Sequence, residues 1–134
     1  MTINFNANNT YHDPEIYGAF KNNIVGENVK AGTILKLDAD GGLSKATTAT
    51  EGSYIAACDQ YEGCDIAVFK GCSGGYVLSN IAINVGDYIV ADANGYAAIG
   101  AFGDQGVVGR AETSFTTPTD VTLLPCKVSI KVMC

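Results

Sequence analysis

Tryptophan is absent, histidine occurs once (His12), and proline only three times in 134 residues. Charged residues make up 16% of the chain, against roughly 25% in an average soluble domain. The scarcer sign is positive: eight Lys and Arg stand against 14 Asp and Glu, a net charge of −6. Basic residues this few and this scattered build no phosphate-binding stripe, which excludes direct nucleic-acid binding. The same sign disfavours anionic membrane surfaces, and no apolar run reaches the roughly 18 residues of a transmembrane helix. Met1-Thr2-Ile3-Asn4-Phe5 has neither a basic n-region nor an apolar h-region, so no secretory signal is expected. With a single histidine and no acidic pair in a recognisable pocket pattern, no general base near neutral pH is on offer outside the N-terminal segment. The chain is expected not to be an enzyme.

Cysteine is present but unpaired in pattern. Cys58, Cys64, Cys72, Cys126 and Cys134 are odd in number and include no Cys-x-x-Cys, so reduced thiols are expected and a zinc site is not. Their expected place is the core, as small apolar side chains. What remains is hydrophobic at 47%, with 16 glycines, in a length that suits one domain. Low charge beside surplus apolar content points to a folded body with part of its surface meant for a partner.

Residues 1–28 differ from the rest. They are rich in Asn, and their apolar residues Ile3, Phe5, Tyr11, Ile16, Tyr17 and Phe20 are too widely spaced to build a core. This segment reads as an extended arm with those six residues as anchors on a partner. Ile16, Tyr17 and Phe20 also fit one face of a helical turn, with Asp13 as N-cap and Pro14 at its first position.

From residue 29 the pattern is β. Short runs such as Thr33–Leu37, Tyr54–Cys58, Asp65–Phe69, Asp87–Ala91 and Lys127–Val132 alternate with turn residues. Asp40-Gly41 and Asn94-Gly95 are expected at tight hairpin turns of type I′. The stretch Gly32–Gly41 aligns without a gap on Gly86–Gly95, and Asp65–Val68 matches Asp120–Leu123 after one inserted residue. The repeat covers about 29–71 and 83–125. Neither copy covers its own apolar face. The expected architecture is therefore all-β: a small β-barrel over 29–134, built from two similar hairpin-containing halves and preceded by the arm.

Two short motifs resemble catalytic or metal sites and fail on context. Gly71-Cys72-Ser73-Gly74-Gly75 matches a nucleophile elbow, but a strand rather than a helix is expected after it, and no base is positioned beside Ser73. Asp38-Ala39-Asp40-Gly41-Gly42 opens like a calcium loop but has Ala49 where the bidentate Glu belongs. No catalytic residue, metal ligand or cofactor is assigned. Lys36, Lys45 and Lys70 are expected on solvated strand faces.

The second repeat carries a family likeness. Val85–Gly95, then Gly103-Asp104-Gln105-Gly106-Val107-Val108-Gly109-Arg110-Ala111, then Asp120-Val121-Thr122-Leu123, resembles the capsid cement (head decoration) proteins of tailed bacteriophages. Val29–Gly32, Leu37–Gly41 and Ile55-Ala56-Ala57 resemble them through the first repeat. The match spans roughly residues 29–125 and rests on turn residues. The Cys content, Gly71–Gly75 and the Asn-rich arm depart from it. The resemblance implies a non-enzymatic virion protein, made in the host cytoplasm and docked on the outer surface of an icosahedral shell at capsomer junctions. Its partners would be the major capsid protein and neighbouring copies of itself, as a trimer or a dimer, with no membrane and no direct nucleic acid. The alternative is a surface or fibre-associated binding module of the host-glycan or adhesin type, with Tyr54, Tyr61, Tyr76 and Tyr96 as its aromatics.

Overall fold

The computed structural model describes residues 15–71, 73–114 and 121–128. Ten strands follow one another: β1 (Ile16–Phe20), β2 (Ile34–Leu37), β3 (Leu43–Lys45), β4 (Tyr54–Ile55), β5 (Ile66–Phe69), β6 (Gly74–Ser79), β7 (Tyr88–Ala91), β8 (Ala97–Gly100), β9 (Gly109–Ala111) and β10 (Thr122–Val128). Most are rich in Ile, Val, Leu, Tyr and Phe, residues that fit a pleated, half-buried surface. Turns break them at Gly32, Gly41, Gly86, Gly95 and Gly103, which all take positive φ.

The strands form three antiparallel sheets, ordered β1-β5, β3-β2-β4 and β6-β10-β9-β7-β8. The all-β class holds, and the expected barrel does not: the sheets are open, and none closes on itself. Single-residue bridges, Ala56↔Val68 and the parallel Asn22↔Leu43, fall between the two small sheets without growing into ladders. One hydrophobic cluster nevertheless joins both halves, including Ile34, Leu35, Ile55, Ile66 and Val68 from the first and Ile89, Val108, Leu124, Cys126 and Val128 from the second.

The hydrogen-bond register repeats along the chain. Gly32 donates to Ala56, and Ala56 donates to Thr33; Gly86 donates to Ala111, and Ala111 donates to Asp87. Ser53 donates to Leu35, as Val108 does to Ile89. The pairs Ile34↔Ile55 and Tyr88↔Arg110 correspond, as do Leu35↔Lys45 and Ile89↔Ile99. The correspondence reaches β1, whose Gly18↔Val68 and Phe20↔Ile66 answer to Gly75↔Cys126 and Val77↔Leu124 of β6 and β10. Val68 thus matches Cys126 rather than Leu123, three residues along from where sequence alignment put it. Both halves follow one strand order, β1-β5-β4-β2-β3 and β6-β10-β9-β7-β8. In the second, β9 and β10 share three register pairs, Cys126↔Ala111, Lys127↔Arg110 and Val128↔Gly109. In the first, β5 ends at Phe69 before Lys70-Gly71, and only the Ala56↔Val68 bridge remains.

Two local expectations are corrected. Residues 16–20 are a strand, not a helical turn, because β5 receives them: Ala19↔Ala67 and Phe20↔Ile66 pair, and Lys70 donates to the Glu15 carbonyl. Asp13 and Pro14, its expected cap, lie outside the described residues. The hairpin turns are one residue longer than type I′. Gly41 donates to Asp38 and Gly95 to Asp92, while Asp38 donates to Gly42 and Asp92 to Tyr96. Each glycine supplies the left-handed residue that closes the turn, at φ 85° and 77°.

The halves meet at backbone distance. A Cβ on Gly52 would lie 2.6 Å from the Gly106 carbonyl oxygen, and one on Gly106 would run into the Ala49 carbonyl oxygen. Only glycine permits this approach.

Candidate docking surface

The strands that bury the core leave several large apolar side chains in solvent. Ile16 and Tyr17 stand on β1, 53% and 45% exposed. Tyr17 stacks on Tyr54 with centroids 6.1 Å apart and planes 10° from parallel, and Phe20 tilts against the same ring at 4.9 Å. Tyr54 is buried, which pushes its phenol pKa up, with the neighbouring Tyr17 adding to the shift. Phe20 packs on the core. One face of the β1 aromatics is thus fixed and the other open, as an anchor requires.

A clamp at the C-terminal end of β1 fixes its position. Asn23 donates to Asp38 (2.8 Å) and Asp40 (3.0 Å), Lys21 reaches Asp40 at 3.1 Å, and Ser44 donates to Asp38 at 2.8 Å. The Gly42 N–H, then Asn23 and Lys21, hold the Asp40 carboxyl down at about 2. Asp40 and Gly41, picked out as turn residues, therefore sit where the β2–β3 hairpin grips the residues after β1. The carboxylates resembling a calcium loop are spent on these bonds. Among the described residues no group of three or more His, Cys, Asp or Glu is placed to hold a metal ion.

Asn94 and Gly95 sit at the β7–β8 turn, which packs on the first half: a Cβ on Gly95 would meet Lys45 at 2.8 Å and Thr33 at 3.2 Å. Asn94 and Tyr96 help line a cleft of about 370 Å³ with Lys30 and Lys45. A smaller one beside it, about 320 Å³, is edged by Asp59 and Tyr61. Tyr61, Tyr76 and Tyr96 make no ring contact with one another among the described residues, and Tyr54 is buried, so these four build no common platform.

Three residues that sequence reasoning did not single out form a second exposed group. Phe102, 84% exposed, meets the Tyr88 ring edge-on at 5.8 Å, and the Arg110 guanidinium lies 5.0 Å from the Tyr88 centroid while donating to the Gly86 carbonyl. The signal was Phe102 itself: a phenylalanine in Gly100-Ala101-Phe102-Gly103-Asp104 has only small or polar neighbours.

Of the six expected anchors, Ile16, Tyr17 and Phe20 lie together on β1, and Ile3, Phe5 and Tyr11 lie outside the described residues. Ser73 is buried, its hydroxyl donating to the Lys70 carbonyl. His12 is not among the described residues. The cysteine expectation is corrected in part. Cys126 is buried, its thiol pushed up to about 12 by burial with a contribution from Glu112, but Cys58 and Cys64 are exposed; Cys72 and Cys134 lie outside the described residues. Their loop between β4 and β5 carries Asp59, Glu62 and Asp65 and packs little. Lys36, Lys45 and Lys70 pair with Glu51, Glu27 and Glu15 at 3.7, 2.6 and 3.5 Å. No helix among the described residues is long and apolar enough to cross a membrane.

In comparison with known proteins, no family model and no curated protein matches this chain.

Proposed function

We propose that this chain is a structural virion protein of the cement type, docking on the outer surface of an icosahedral capsid and stabilising it without chemistry. Its partner is the major capsid protein, at junctions where one copy bridges several shell subunits. The observation that carries the reading is the β1 surface. Ile16 and Tyr17 are both exposed on a strand already paired to β5, and the Tyr17 ring is stacked on Tyr54. A pre-ordered aromatic anchor loses little entropy on docking, so a small contact suffices. Repetition over a lattice then multiplies modest contacts into a stable clamp. The resemblance of residues 29–125 to the decoration proteins supplies the choice of lattice.

The test is co-sedimentation of the full chain with expanded empty shells. Saturable binding is expected, weakened about tenfold by Tyr17→Ala, in line with loss of one buried aromatic anchor. Absence of saturable binding, or glycan-array binding that Tyr17→Ala leaves unchanged, contradicts the reading.

A further inference from the structure

The two halves share one register, yet one face is covered in the first and open in the second. In the first half, Gly32 and Ile34 lie under the second half. The Gly32 carbonyl accepts from Leu78, Ile34 donates to the Gly95 carbonyl, and a Cβ on Gly32 would meet the Leu123 side chain at 2.7 Å. Ile34 and Ile55 are wholly buried there. The counterparts in the second half are Gly86, Tyr88 and Arg110. Among the described residues no other element covers them and no carboxylate pairs with Arg110: the Gly86 carbonyl takes the Arg110 side chain instead, Gly86 and Tyr88 are half-exposed, and Arg110 is exposed.

The covering edge has its own counterpart. Leu78, Leu123 and Gly95 answer, by strand register, to Lys21, Asp65 and Gly41. All three are exposed, and a Cβ on Gly41 would meet nothing within 4 Å. The replacements are matched. Where the covered face has Ile55, the open face has Arg110; where the covering edge has Leu123, the open edge has Asp65. Lys21, the like-charged member, is occupied by Asp40 at 3.1 Å. Leu123 meets Gly32 in the first half, and the equivalent contact would bring Asp65 to Gly86, where a Cβ would lie 3.6 Å from the Arg110 guanidinium: an apolar edge has become an acidic one opposite a basic group.

We infer that the Tyr88–Phe102–Arg110 face of one molecule receives the Asp65–Gly41 edge of a second copy, head to tail, as the first half receives the second within the chain. Such a contact is heterologous, using two different patches. Being polar and charged, it is reversible and weakens with salt. The inference does not depend on which shell is bound.

Sedimentation velocity of the full chain at low salt, over rising concentration, tests it. Reversible association is expected, falling as salt is raised. Arg110→Asp and Asp65→Arg should each lower the association constant about tenfold, and the chain carrying both should recover it to within about twofold. Phe102→Ala, which touches no charge, should also lower it. A wild-type chain that stays monomeric at millimolar concentration, a double variant no tighter than the singles, or an indifferent Phe102→Ala overturns the inference. A monomer that still co-sediments with shells contradicts this contact alone; a self-associating chain that ignores shells contradicts the cement reading alone.

Discussion

The first half of the chain and the second are built on one strand order, and they differ in how far each depends on the other. The second is a continuous five-stranded sheet, whereas the first is split into a β1-β5 pair and a three-stranded β3-β2-β4 sheet. The split follows from a few residues. β10 pairs with β9 through Cys126, Lys127 and Val128, whereas β5 meets the end of β4 only at the Ala56↔Val68 bridge and the equivalents of the other two pairs, at Phe69 and Lys70, are not formed. The first half makes up the loss by lying under Leu78, Leu123 and the Gly95 turn of the second. A duplicated pattern thus need not give a symmetrical molecule. Where one copy has spare ladder and the other has spare apolar surface, the second roofs the first, and its own equivalent face is left open.

Substitutions at equivalent glycines break this comparison most sharply. The largest effect is expected at the contact between halves. Gly106→Ala drives a methyl into the Ala49 carbonyl and should cost about 3 kcal/mol or more, since backbone cannot yield as a side chain does; chemical denaturation measures it. Next comes the pair Gly32 and Gly86, both at φ 88°. Alanine at either meets the left-handed penalty of about 1–2 kcal/mol. Gly32→Ala also strikes the Leu78 nitrogen at 2.8 Å, whereas Gly86→Ala approaches only the Arg110 side chain at 3.6 Å. Gly32→Ala should therefore destabilise by about 1–3 kcal/mol more than Gly86→Ala. Equal losses would mean that the first half does not lie under the second.

Smaller still is the difference between the hairpin turns. Gly95→Ala should lose more than Gly41→Ala, by about 1 kcal/mol, because Lys45 and Thr33 crowd only the former and the Lys45 chain can move aside. The smallest effect is on pH. The Asp40 carboxyl is held at about 2 against 3.8. Its contribution is present above the unfolded value and is lost as pH falls from 3.8 toward 2. Melting temperature should decline more steeply over that window in the wild type than in Asp40→Asn. The equivalent position in the second hairpin is Asn94, which carries no charge to titrate.

The all-strand class and both hairpins were legible because local rules set them. Alternating Ile, Leu and Val between Gly-containing turns has no competing reading around Ile34–Leu37 or Tyr88–Ala91. Less legible was everything decided at a distance. Ile16, Tyr17 and Phe20 suit a helical face as well as a strand, and only the edge of β5 settles the matter. Truncating residues 1–20 as a dispensable arm would therefore strip β5 of its partner and uncover Ile66. Barrel closure failed for the same kind of reason, since sequence shows strands and turns but not where a ladder runs out. Of the candidate surface, Tyr17 was visible as an aromatic without a core. Its stacking partner Tyr54 was not, nor was the grip of Asp38 and Asp40 on Asn23, a residue 15 to 17 positions away.

The central claim, that this molecule is a clamp on a shell, is tested most directly by the protein composition of purified particles. The account predicts that the chain is present in a fixed ratio to the major shell subunit and leaves the particles less resistant to heat when stripped off. Particles that lack it altogether, or are equally robust without it, would contradict the account.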